Sequence, residues 1–206
     1  MFTDCFAERT VPKALAIIAA IIVCAVPCLG IDEKPEFRDY ASQGNYFKCS
    51  IPAGWSEYSP GLGLSAEEKK MYGLTISGPP GLSGVPPAIS IYYYAPGNLL
   101  HKTMDLYIRR HSSPVLNASV EGIEYSAVKQ IPIAGRDAKT FNRRDVRFIR
   151  DQGIDPEKVL IYEEFVVVPA KKDDGFYVLK FSVPCELREI NAGTFAAVLK
   201  SFVPDN

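Results

Sequence analysis

Several short runs of the chain alternate apolar and polar residues with period two, and these runs predict its strands. From Asn45, Phe47, Cys49 and Ile51 alternate with Lys48 and Ser50 before the turn Pro52-Ala53-Gly54 and Trp55. Residues 71–78 (MYGLTISG) and 88–95 (AISIYYYA) predict two more strands, the latter with Ile89, Ile91 and Tyr93 on one face and Ser90, Tyr92 and Tyr94 on the other. Between them run two loops, 59–70 with one helical turn and the Gly/Pro-rich 78–87. The second half predicts four strands, at 126–133, 137–150, 158–169 and 175–184. Asp174-Gly175 makes the last two an antiparallel hairpin. In the final strand Tyr177, Leu179, Phe181 and Val183 face inward while Val178, Lys180 and Ser182 alternate outward.

Two stretches have helical spacing instead. Asn98 is placed to cap a helix through His111 whose stripe is Leu100, Met104, Tyr107 and Ile108, with Arg109, Arg110 and His111 at its negative end and Pro114 beyond. Near the C-terminus Phe195, Val198, Leu199 and Phe202 recur as one buried face. Strands in runs, with a helix in the middle and another at the end, predict an α+β domain over 45–206: a single, mostly antiparallel β-sheet flanked by helices.

The N-terminus reads differently. Residues 14–30 are apolar, preceded by Arg9 and Lys13 and followed by the charged IDEKPEFRD, the order of a secretory signal. Small residues at Cys28 and Gly30 place cleavage near Gly30–Ile31, with an uncleaved membrane anchor as the alternative. Val23 before Cys24 and Pro27 before Cys28 do not suit lipidation. Asp4 and Glu8 weaken the cationic start, and a start at Val11 would be cleaner. Residues 31–44 are polar and aperiodic and predict a leader or linker. The expected location is the periplasm or the outside of the cell, with transient membrane contact through the signal.

Composition narrows the function. Lys and Arg number 23 against 24 Asp and Glu, and this nearly neutral balance removes the usual electrostatic case for nucleic acid, which is not expected as a partner. Export leaves Cys49 and Cys185, which either form one disulfide or remain free thiols. The only histidines, His101 and His111, fall ten residues apart on one predicted helix, about 80° apart around its axis. Neither sits in a hydrolase motif, and Gly81-Leu82-Ser83-Gly84 lacks the spacing of a nucleophile elbow. His101 and Asp105, one turn apart, lack a third metal ligand. Glu163 and Glu164 point to opposite faces of their strand, which argues against a joint acid/base role. No catalytic residue, cofactor or metal is therefore expected.

Three segments resemble a known family. FKCSIPAGW (47–55) is similar to the aromatic-x-x-x-Ile-Pro-x-Gly-Trp opening of PsbP-like domains. IPIAGRDAKTF (131–141) resembles their mid-domain hairpin, and TFAAVLKSFVP (194–204) their closing helix. The resemblance implies an α/β/α sandwich shared by PsbP, Ran-binding Mog proteins and many bacterial exported proteins, and a role as adaptor, assembly factor or ligand holder. It transfers no functional residue.

Two surfaces qualify for partner contact. Arg136, Lys139, Arg143, Arg144, Arg147 and Arg150 oppose only Asp137 and Asp145 within 136–150, so Arg143, Arg147 and Arg150 could meet an acidic partner, or the charges simply solvate the strand and discourage edge pairing. Tyr92 and Tyr94 either form an exposed aromatic patch or pack beneath the central helix. The function expected is a non-catalytic binding or assembly protein of a bacterial envelope, holding another envelope protein or a small ligand. The alternatives are a small periplasmic enzyme built from dispersed carboxylates and a membrane-tethered structural component. Asn117-Ala118-Ser119 would be a glycosylation site only in a eukaryote, and is read as chance.

Overall fold

A computed structural model describes residues 36–58, 63–114, 118, 121–149 and 156–205. The predicted signal and its cleavage point, Arg150 and most of the sequon lie outside them. The strands are β1 (Phe37–Ala41), β2 (Phe47–Pro52), β3 (Ser56–Tyr58), β4 (Met71–Ser77), β5 (Ala88–Tyr94), β6 (Glu124–Tyr125), β7 (Lys129–Ile133), β8 (Arg136–Ile149), β9 (Glu157–Pro169), β10 (Phe176–Pro184) and β11 (Val203–Pro204). The helices are α1 (Ala66–Lys69), α2 (Met104–Ser112) and α3 (Arg188–Ser201).

The described residues form two sheets rather than one. The larger has the order β3-β4-β5-β10-β9-β8-β6, with β7 also on β8, and its pairings are antiparallel. The smaller, β1-β2-β11, joins the start of the domain to its end. Alternation along β2 reports which residues face the core but not which sheet a strand joins. The predicted linker 31–44 likewise contains β1, whose five residues pair with Ala41↔Lys48 through Phe37↔Pro52. Its edge position buries little, so it lacks the apolar signal by which strands are read.

The large sheet is covered on both faces. On one, β2 and α3 pack Phe47, Ile51, Phe195 and Val198 against Ile89, Ile91, Leu179 and Phe181. On the other, α2 packs Tyr107 over Phe141, Phe165, Phe176 and Val178. Double coverage explains why β9 and β10 read as nearly continuous apolar runs rather than clean alternations, and Val178, expected outward, is buried. Glu163 and Lys180 interrupt those runs.

The central helix starts later than its periodicity predicts. Thr103 is the N-cap, its hydroxyl accepting the Leu106 amide at 3.2 Å. Asn98 instead closes a buried turn: its Oδ1 accepts the amides of Leu100 (3.1 Å) and His101 (2.7 Å), while its Nδ2 donates to the carbonyls of Ala95 and His101. Asparagine suits both a cap and an Asx-turn, and sequence does not choose between them. Leu100, assigned to the apolar stripe, is half exposed. At the other end of the domain, Arg136 is buried, donates to the carbonyls of Pro169 and Asp205, and lies over Tyr177.

Candidate functional site

The register of β8, β9 and β10 builds a charged cluster on the face beneath α2. Arg143 stands directly across from Glu163, and Glu163 across from Ser182, with Lys180 one step diagonal beside Phe165. Glu163 is 3% exposed, and its two oxygens are both engaged: Oε2 by Arg143, Oε1 by Lys180 Nζ at 2.6 Å and by the Ser182 hydroxyl at 3.5 Å. Arg143 also reaches Asp145 at 3.5 Å. Burial pushes the Glu163 carboxyl up, but the adjoining Lys180 and Arg143 outweigh it and hold the group below its usual range. It is a closed, ionised carboxylate, the opposite of a proton donor held protonated for catalysis.

Above this cluster lie both histidines. Because His101 belongs to the Asn98 turn and not to the helix, the 80° separation and the one-turn spacing to Asp105 do not apply. The His101 and His111 rings are instead 5.7 Å apart, centroid to centroid, around Tyr107. His111 stacks on Phe165 at 5.5 Å, and neither of its buried ring nitrogens has a hydrogen-bond partner among the described residues. Burial, reinforced by Arg143, His101 and Lys180, lowers its pKa to about 4. His101 is lowered too, by burial and Arg110. Among the described residues no group of three His, Cys, Asp or Glu side chains is placed to hold a metal ion.

The residues singled out from sequence therefore divide. Arg143 is inside the ion cluster and is not a free partner contact, because the cross-strand register sets it against Glu163. Arg144, on the opposite face, pairs with Glu124 at 3.1 Å and lines a cavity of about 350 Å³ with Tyr162 and Arg188, whose guanidinium lies 4.0 Å over the Tyr162 ring. Arg147 is exposed on the Arg143 side. Tyr94 packs beneath α2, stacked on Phe176 at 5.0 Å, so the second of its two readings holds. Tyr92 is half-buried and reaches the Thr75 hydroxyl at 3.2 Å. Cys49 in the small sheet and Cys185 after β10 are free thiols, not a bridge.

A solvent-open groove of about 500 Å³ runs past Tyr92, bordered by Tyr40, Gln43, Glu57, Tyr58 and Lys69. Gly73 forms part of its floor, where a Cβ would meet the Ile91 carbonyl oxygen at 1.9 Å. Burial beside Glu57 lifts the Tyr40 phenol to about 12, so it stays neutral. A further tyrosine row, Tyr72, Tyr46, Tyr93 and Tyr177, runs ring to ring at 4.5–4.9 Å, with Tyr93 and Tyr177 in the core and Tyr46 and Tyr72 packed against it. Of these features, the cluster around Glu163 went unread from sequence, although a lone Lys180 and a Glu163 inside apolar strands signal that each needs a buried partner.

No protein-family model matches the chain, and no curated protein matches it. Solved structures similar to it include a chain from Bacteroides thetaiotaomicron VPI-5482 (12% identity, TM-score 0.44), of which the match covers 48%, about half, against 82% of this chain. The solution structure of cyanobacterial PsbP from Synechocystis sp. PCC 6803 is similar at 14% identity and TM-score 0.46, covering 87% of this chain and 99% of that one. LpqN of Mycobacterium tuberculosis, described as involved in cell envelope biogenesis, is similar at 10% identity and TM-score 0.45, covering 83% and 92%. At such identities the likeness concerns the course of the chain and not its side-chain chemistry.

Proposed function

We propose that the chain is an exported, non-catalytic binding or assembly protein of a bacterial envelope, cut near Gly30–Ile31 and working in the periplasm or outside the cell. What supports this is the separation of its chemistry from its open surface. The buried acid and base, Glu163 and His111, are closed away under α2, Glu163 ionised between two cations and His111 neutral. The groove at Tyr40, Tyr58 and Tyr92 instead offers aromatic and polar surface to solvent, a composition suited to holding a partner. That partner is another envelope protein or a small ligand.

The test is affinity capture from the native envelope, comparing the wild type with a Tyr58→Ala/Tyr92→Ser variant whose fold is checked by circular dichroism. Mass spectrometry is expected to find a partner that the folded variant has lost, and an intact mass corresponding to residues 31–206. An unchanged set of captured proteins would exclude the groove. Turnover of a small molecule that depends on Glu163 or His111 would exclude a non-catalytic role.

A further inference from the structure

We propose that α2, with the His101 turn before it, is an acid-released flap over the β8–β10 face, and that protonation of His111 is its trigger. The geometry is an imidazole that finds no acceptor for a second ring proton among the described residues. His111 sits in the last turn of α2, pressed on Phe165, with both nitrogens buried and without a hydrogen-bond partner among the described residues. Lys180 Nζ and the Arg143 guanidinium already lie 5.4 and 5.7 Å from the centre of that same Phe165 ring. A proton on His111 would make it a third cation around one ring.

The surrounding groups offset that charge only in part. From β9, Glu163 is the acid that acts on the ring, and its oxygens are committed to Arg143, Lys180 and Ser182. From β8, Asp145 also pairs with Arg143. The turn contributes His101 and α2 contributes Tyr107, whose buried phenol stays neutral. β5 adds Tyr94, likewise neutral, and α2 adds Arg109 and Arg110, with Asp105 at its far end. The helix C-terminus favours a cation, but less than burial beside two cations opposes it. Opening lets water reach the imidazole, so the open state binds the proton better and is favoured as pH falls.

The sign sets the window. The proton is taken up more readily by the open state between about 4 and the ordinary 6.5, so the closed flap is at full strength above 6.5 and weakens as pH falls toward 4. One proton raises the opening constant at most about 20-fold between pH 7 and pH 5.

Amide hydrogen exchange on the full mature chain tests this, after correction for intrinsic rates. The expected result is a rise of roughly 5- to 20-fold in the opening of residues 104–112 from pH 7 to pH 5, with amides of β5 and β10 unchanged. His111→Phe, which keeps the stacking and removes the nitrogens, is expected to flatten the pH response; His111→Gln serves if that variant does not fold. A pH-independent α2 in the wild type, a rise that persists in the His111 variant, or β5 and β10 opening together with α2 would each overturn the proposal.

Discussion

Replacing Glu163 by Gln keeps its shape and removes its charge, leaving Arg143 and Lys180 facing each other across β9. Breaking a buried ion pair by removing one partner costs about 3–5 kcal/mol. Here the Glu163 side chain is 4% exposed, but those of Arg143 and Lys180 are 20% and 28% exposed. Water can therefore partly solvate the orphaned cations, and Gln retains one acceptor, which brings the expectation to about 2–3 kcal/mol. Urea unfolding at pH 7.5, followed by the fluorescence of the single Trp55, should show the midpoint fall by roughly 1 M. The carboxyl's folded pKa lies below its usual 4.5, so its contribution is complete above 4.5 and is lost as pH falls below that value. The gap between wild type and Glu163→Gln should accordingly shrink at pH 3. Glu164→Gln, on the other face of β9, should cost less than about 1 kcal/mol. A Glu163→Gln midpoint within 0.2 M of wild type, or a gap that widens in acid, would refute this account of the cluster.

Further outcomes follow from other sites. Gly73→Ala should prevent stable folding or lower the melting temperature by more than about 10 °C in calorimetry, because the added Cβ lands on the Ile91 carbonyl at φ +148. Asn98→Ala should cost about 2–3 kcal/mol by chemical denaturation and Thr103→Ala about 1 kcal/mol, the order set by a buried four-bond turn against a single exposed cap. Were Thr103→Ala the more damaging, Asn98 would not be the organising residue. Arg144→Ala, which breaks only a largely exposed pair with Glu124, should leave stability within about 0.5 kcal/mol in the same assay.

Much of the architecture was legible because it rests on local periodicity. The alternation at Phe47, Cys49 and Ile51, the hairpin signal at Asp174-Gly175 and the Phe195, Val198 and Phe202 stripe each follow from how side chains project from a strand or a helix. Those patterns determined the strand-rich class, the main elements and the opposed faces of Glu163 and Glu164. They could not determine that β1 exists, that β2 leaves the large sheet, or that Asn98 turns the chain before the helix, because an edge strand buries little and one residue type serves two turns. Tertiary structure alone decided the chemistry. Arg143, Glu163 and Lys180 come from three strands whose register no local pattern records, and His101 meets His111 only because the Asn98 turn folds back on α2. The faces of single elements follow from backbone geometry repeated every two or 3.6 residues, whereas charges meet across strands through long-range pairing, which has no period along the chain.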